Sequence, residues 1–126
     1  MGISVGSLKL ICDTNTVELK FNRRNKLRIP PTRRMLCTLD FSILDTEQGK
    51  KLLGFKKPKQ RPPYNAASKG LLTVWDIIMQ DWRNIPVDSC IIVATLSNRP
   101  ITRFWNYYNR ILSKMPASTK KEFMEK

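Results

Sequence analysis

Histidine is absent from this chain of 126 residues, and acidic residues are few, with 10 Asp and Glu against 23 Lys and Arg. Without histidine, the Ser-His-Asp and Cys-His catalytic arrangements are excluded, and the commonest metal ligand is missing. Glycine is also scarce, with five residues, and none lies in a nucleotide-binding loop of either common spacing. These absences predict a protein that is not an enzyme, holds no metal ion or cofactor, and takes no small-molecule substrate.

Cysteine is limited to Cys12, Cys37 and Cys90, an odd number without a C-x-x-C pair. This pattern favours core or loop thiols over a disulfide framework or a zinc site, and it indicates a reducing, intracellular setting. Long hydrophobic runs are missing as well: the longest cover residues 90–96 and 71–75, whereas a bilayer span needs about 20 residues. We therefore expect no transmembrane segment or secretory signal, and a cytoplasmic protein with the membrane surface and the nucleus as further locations.

Carboxylates that could converge for acid–base or metal chemistry fall into two sets. They are Asp40, Asp45 and Glu47, and Asp76, Asp81 and Asp88. On a helix, Asp76 and Asp81 would point about 140° apart. The sequence therefore predicts no catalytic acid pair.

The pattern of apolar residues predicts one α+β domain over residues 1–126, because 41% hydrophobic residues suffice for a core. Alternation predicts a β-hairpin with strands at residues 8–12 and 17–21, followed by a third half-buried strand at 37–43. The segments 22–34 and 50–67 are rich in proline or cations and are expected to be exposed loops.

The second half of the chain changes to helical periodicity. The stripe that predicts a first amphipathic helix consists of Leu71, Leu72, Trp75, Ile78, Met79 and Trp82. Residues 90–96 then predict a strand buried on both faces, and residues 97–100 a helix cap before a second amphipathic helix over 101–115. A capping-box pattern at 119–122 predicts a short helix within a frayed C-terminus, 116–126.

Positive charge dominates the surface, since the formal net charge is +13. Fourteen of the cations fall in two stretches without any acid, between Glu18 and Asp40 and between Glu47 and Asp76. We expect the two basic loops to lie on one face and to form a polyanion-binding site. The residues assigned to it are Lys20, Arg23, Arg24, Lys26, Arg28, Arg33, Arg34, Lys50, Lys51, Lys56, Lys57, Lys59 and Arg61.

Aromatic residues divide into core and surface candidates. Trp75, Trp82 and Trp105 lie on the apolar stripes and are expected in the core. The rings that fall in basic sequence or off a stripe are candidates for stacking on nucleic-acid bases. They are Phe55, Tyr64 and Tyr107.

The amino terminus offers one candidate for lipidation. Gly2 follows Met1, as N-myristoylation requires, although Gly6 occupies the usual Ser/Thr position. A single acyl chain anchors weakly, so the basic loops would supply the second, electrostatic signal.

The overall profile, a small basic α+β chain without catalytic residues, resembles that of small viral matrix or accessory proteins that bridge membrane and ribonucleoprotein. The resemblance implies a structural protein that binds anionic membrane, and also nucleoprotein, and that self-associates into a homo-oligomer. Two alternatives stay open: a nucleic-acid-binding protein, and an adaptor for an acidic protein partner. Lys and Arg serve the phosphates of lipid and nucleic acid alike.

Overall fold

Four α-helices and a five-stranded antiparallel sheet form the described part of the chain, residues 3–22, 32–58 and 70–124 of a computed structural model. The helices are α1 (Val5–Thr14), α2 (Glu47–Leu53), α3 (Ile101–Arg110) and α4 (Ala117–Lys120). The strands are β1 (Asn15–Asn22), β2 (Thr32–Thr38), β3 (Leu71–Asp76), β4 (Asp81–Pro86) and β5 (Ile91–Ser97). Single 3₁₀ turns cover Val87–Ser89, Leu112–Lys114 and Lys121–Phe123. The predicted α+β class is confirmed, but several of its elements differ.

The sheet has the order β4-β3-β2-β1-β5, and all neighbouring strands are antiparallel. Strand β1 pairs along most of its length with both β2 and β5. The ladder between β2 and β3 has two register pairs, Cys37 with Asp76 and Thr38 with Trp75. The β3–β4 hairpin therefore attaches to the other three strands through a short ladder.

Two hydrophobic clusters cover opposite faces of the sheet. Successive residues of β2 alternate between them: Met35 and Cys37 belong to the first cluster and Leu36 to the second. Helix α1 covers the first cluster with Leu8 and Cys12. Helix α3 and the segments flanking α2 and α4 supply the second cluster. The sheet is thus the middle of three layers.

The N-terminal strand predicted at residues 8–12 is instead part of helix α1. Leu8 and Cys12 are four residues apart and buried, which suits a helix as well as a strand, while Leu10 between them is exposed. Ser4 caps the helix, because its side chain accepts a hydrogen bond from the Ser7 backbone N–H at 3.1 Å. The predicted strand at 17–21 is confirmed as β1, whereas the third strand lies earlier than predicted, at Thr32–Thr38.

The helix predicted over residues 71–82 is a β-hairpin. Strands β3 and β4 pair from Leu71 with Pro86 to Asp76 with Asp81. The Asp76 carboxylate holds the turn by accepting hydrogen bonds from the backbone N–H groups of Ile78 and Met79 at 3.1 and 3.0 Å.

Strand β5 confirms the strand predicted at residues 90–96, but it is an edge strand rather than one buried on both faces. After it, the cap predicted from residues 97–100 takes another form. Asn98 is buried and accepts a hydrogen bond from the Thr16 hydroxyl at 2.7 Å, so it joins β5 to β1. Helix α3 begins directly after Pro100 without a side-chain cap and ends at Arg110, five residues earlier than predicted. A short terminal helix is present as α4 (Ala117–Lys120), but it begins two residues before the predicted cap at Thr119, and its N-cap residue Pro116 makes no side-chain cap.

Candidate functional site

Two of the arginines assigned to the polyanion site are held by acids of the fold. Arg33 is buried, and its guanidinium donates to the Asp76 carboxylate at 2.6 Å and to the Phe123 carbonyl at 3.0 Å. Arg34 donates to Glu18 at 2.7 Å and to Glu122 at 2.8 Å. The hydrogen bond to Glu18 raises the pKa of Arg34 further, so it stays charged but neutralised. Both arginines fasten the C-terminal segment to β2.

Two acids of the second set, Asp76 and Asp81, are also held by partners within the fold. The hairpin makes Asp76 and Asp81 cross-strand partners, which corrects the divergent arrangement predicted from a helix. Burial raises the pKa of Asp76, against the opposing effects of the Met79 N–H and of Arg33. A hydrogen bond from Arg83 at 2.9 Å lowers the pKa of Asp81. Within the described ranges, no group of three or more His, Cys, Asp or Glu could hold a metal ion.

The remaining charge concentrates on the layer that covers the second cluster. We call the surface of α2, of residues 56–57, of α3 and of residues 111–121 the basic face. Its exposed cations are Lys50, Lys51, Lys56, Lys57, Arg103, Arg110, Lys114, Lys120 and Lys121. Among the described residues, only Lys50 of this set forms an ion pair, with Asp45 at 3.6 Å.

The periodicity of helix α3 places its apolar residues on one side and its arginines on the other. Phe104, Trp105 and Tyr108 face the second cluster. Arg103 and Arg110 lie seven residues apart on the opposite side of the helix, where both are exposed.

Direct contacts bring the parts of the basic face together. The Tyr108 hydroxyl on α3 donates a hydrogen bond to the Leu52 carbonyl at the end of α2, at 3.2 Å. A cavity of about 250 Å³ opens at the same junction. Its lining residues are Leu52, Leu53, Ile77, Ile78, Tyr108, Leu112, Ser113, Met115 and Lys120. A depression with both polar and apolar walls therefore lies at the junction of α2 and α3, and Lys120 is one of its lining residues.

Apolar side chains also project from the basic face. Leu52 is 44% exposed and Ile111 is 50% exposed, and they belong to the two helix ends that the Tyr108 hydrogen bond joins. Exposed apolar residues ringed by cations suit a surface that meets both charged headgroups and hydrocarbon.

Of the three rings predicted to stack on bases, the two that the structure describes are not exposed on the basic face. Phe55 is buried in the second cluster, with its ring 5.7 Å from that of Trp75. Tyr107 is half-buried beside a second cavity of about 170 Å³, and burial raises the pKa of its hydroxyl. Tyr64 lies outside the described residues.

Much of the polyanion site predicted from the two loops also falls outside the described residues. This holds for Arg23, Arg24, Lys26, Arg28, Lys59 and Arg61, and for the lipidation candidate Gly2. Of the others, Lys20 is exposed on β1, and Lys50, Lys51, Lys56 and Lys57 belong to the basic face. The two predicted loops are wrong at residues 32–34 and 50–53, which belong to β2 and α2.

Sequence reasoning missed the C-terminal cations of the basic face. Residues 89–121 contain six cations and no acid, a third acid-free stretch. Most of these cations are widely spaced along the chain, so they do not form a dense local run of positive charge. Acid depletion combined with the seven-residue spacing of Arg103 and Arg110 was the available signal.

None of the helices in the described ranges is long and apolar enough to cross a membrane. No protein-family model, curated protein or solved structure matches the chain.

Proposed function

We propose that this protein is a non-enzymatic, self-associating structural protein of the viral-matrix type that binds anionic membrane surfaces through its basic face. The observation that carries the proposal is the junction of α2 and α3, where exposed Leu52 and Ile111 lie among cations that have few acidic partners.

The energetics favour such an attachment. Each Lys or Arg near an anionic leaflet contributes about 1 kcal/mol, which decays within a Debye length. Two partly inserted aliphatic side chains add apolar burial at about 25 cal/mol per Å². A handful of cations with two such side chains gives reversible binding that depends on lipid charge and on salt.

The exposed apolar side chains of the basic face favour lipid over nucleic acid as its ligand. Single-stranded nucleic acid binds where bases stack on exposed rings in a basic groove. Phe55 is in the core and Tyr107 is half-buried, whereas the exposed apolar groups of the basic face are aliphatic. Ribonucleoprotein contact stays part of the proposal through the same cations, as a secondary interaction.

Vesicle binding tests the proposal directly. Cosedimentation with phosphatidylcholine vesicles, with and without 30% phosphatidylserine, is measured from about 50 to 300 mM NaCl beside binding to labelled single- and double-stranded RNA and DNA. We expect binding only to the anionic vesicles, with affinity falling as salt rises. Binding to RNA or DNA without binding to anionic vesicles would overturn the proposal.

A matched pair of charge reversals locates the surface. Arg103→Glu on the basic face should weaken vesicle binding by about tenfold or more, because the local charge changes by two units. Lys9→Glu makes the same change on α1, on the other side of the sheet, and should have a small effect. Leu52→Ser combined with Ile111→Ser should lower affinity with little change in salt dependence. Equal losses for Arg103→Glu and Lys9→Glu would exclude the basic face as the contact surface.

A further inference from the structure

Strand β5 forms one edge of the sheet. It pairs with β1 on one side, and no strand of the described residues lies on its other side. Ile91 is 63% exposed and Val93 is 51% exposed. An edge strand of this kind offers unpaired backbone groups to another strand.

The direction of these backbone groups follows from one hydrogen bond. The Asn98 N–H donates to the Thr14 carbonyl at 3.1 Å, just beyond the first β1–β5 pair. Because backbone groups alternate between the two sides of a strand, those of Thr95 and Ser97 point away from β1. Thr95 is also exposed. The outward N–H and C=O groups at Thr95 can therefore form hydrogen bonds with a new strand, and the ladder with β1 stays intact.

Charge makes a second copy of this chain a suitable occupant. Residues 89–98 contain no charged side chain, although the chain carries a net charge of +13. The opposite edge, β4, contains Asp81, Arg83 and Pro86, features that protect an edge from pairing. Two strongly cationic copies repel each other least where the contacting strands carry no charge, and β5 is such a strand.

We propose that β5 pairs antiparallel with β5 of a second copy, centred near Thr95, and so joins two five-stranded sheets into one. This pairing would be the interface for the self-association in the proposed function, and it does not depend on lipid binding. A bulge at Val93, where β5 shifts register against β1, limits the regular ladder to the half of β5 after Val93. We therefore expect a reversible dimer.

The symmetry of this pairing has a consequence for membrane attachment. Two identical antiparallel strands are related by a twofold axis perpendicular to their sheet, so corresponding faces of both copies lie on the same side. Both basic faces would then lie on one side of the joined sheet. The dimer would bind an anionic surface with both copies at once and gain avidity over the monomer.

Dimerisation and membrane attachment should respond to salt in opposite directions. Higher ionic strength screens the repulsion between cationic copies and should strengthen the dimer, whereas it should weaken attachment to anionic lipid. Sedimentation velocity from about 50 to 500 mM NaCl measures the first effect, and vesicle cosedimentation measures the second.

Thr95→Pro is the decisive variant. Proline removes an N–H that points outward, so the monomer loses no bond to β1, while a dimer would lose a donor from each copy. We expect its dimer dissociation constant to rise by about tenfold or more. Thr95→Val keeps the N–H and serves as the matched control. Val93→Lys places a charge beside the pairing edge and provides a second test should Thr95→Pro fail to fold by circular dichroism.

The outcomes are distinct. Dimers in the wild type and in Thr95→Val, with monomers in a folded Thr95→Pro or in Val93→Lys, support the proposal. A wild type that is monomeric at all salt concentrations, or folded Thr95→Pro and Val93→Lys proteins that still dimerise, would overturn it. Vesicle binding that survives as a weaker, Arg103-dependent attachment in the monomeric variant leaves the lipid function intact, so the two proposals fail separately.

Discussion

Trp75 and Trp82 are direct cross-strand partners in the β3–β4 hairpin, and their rings meet edge to face with centroids 5.4 Å apart. The ring of Phe41 packs against both, at 5.6 and 5.5 Å. Aromatic pairs in this geometry contribute about 0.5–1.5 kcal/mol beyond their area burial. The three rings therefore anchor the β3–β4 hairpin to the segment between β2 and α2 that contains Phe41.

Trp75→Ala should lower the free energy of unfolding by about 3–5 kcal/mol, because it empties a large buried site and removes three ring contacts. Urea denaturation followed by circular dichroism measures the loss. Trp75→Phe keeps an aromatic ring there and should lose much less. An unchanged unfolding midpoint in Trp75→Ala would contradict the core assignment.

The hairpin shows why the sequence could predict this core but not its local structure. Leu71, Trp75 and Trp82 recur at spacings of four and seven residues, which is typical of a helix. The actual turn lies between Asp76 and Asp81, so residues on two strands imitate one helical stripe. The pattern predicted the burial of Leu71, Leu72 and Trp75, but it missed Val74 and Ile77, which are also buried. The pairing that decides between helix and hairpin depends on tertiary contacts.

The basic face could also be predicted only in part from the sequence. Composition alone indicates a cationic surface, and Lys50 and Lys51 were assigned to it from local charge density. Arg33 has the same chemistry but pairs with Asp76, 43 residues away, and such a partner has no local signal. Arg103 and Arg110 belong to the basic face because α3 buries its opposite side, which only the packing of α3 reveals.

Arg33→Met should destabilise the protein by about 3–5 kcal/mol, because it leaves the buried Asp76 carboxylate without its cation. Adding Asp76→Asn should restore much of the loss, since an asparagine oxygen can still accept from the Ile78 and Met79 N–H groups. Chemical denaturation of the two single variants and the double variant measures this coupling. Additive losses would show that the pair does not act as a unit.

The stability of Arg33→Met should also depend on pH. Burial raises the pKa of Asp76, and Arg33 opposes that rise, so the variant should have a still higher pKa. A carboxyl group whose folded pKa exceeds its unfolded value gives most stability below the unfolded pKa and loses it as pH rises through the folded pKa. The deficit of Arg33→Met relative to wild type should therefore shrink on acidification from pH 7 towards pH 4. A deficit that grows instead would contradict the assignment.

Cys90 should make folding sensitive to alkali. Burial raises the pKa of its thiol to about 11, above the ordinary value of 9.0. Its contribution to stability is complete below pH 9 and is lost as pH rises towards 11. Cys90→Ala removes this titration, so the stability difference between wild type and variant should fall across that range in urea denaturation. A difference that is constant with pH would place the thiol in water.

Gly6 and Gly49 lie in helices, but their surroundings predict opposite responses to the same substitution. A Cβ at Gly6 in α1 would meet no atom within 4 Å. A Cβ at Gly49 in α2 would lie 1.9 Å from the Leu44 carbonyl oxygen, which is backbone and cannot rotate away. Alanine at Gly49 therefore requires a shift of α2 or of the preceding turn.

Gly6→Ala should stabilise the protein by about 0.5–1 kcal/mol, because alanine reduces the conformational freedom of the unfolded chain and fits the helix without strain. Gly49→Ala should destabilise it by about 1–3 kcal/mol, the usual range for an overpacked site. Thermal and urea unfolding of both variants measure the difference. Because α2 carries Lys50, Lys51 and Leu52, the Gly49→Ala shift should also weaken attachment to anionic vesicles, whereas Gly6→Ala should leave it unchanged. Equal stability of the two variants would show that α2 does not pack against Leu44 as described.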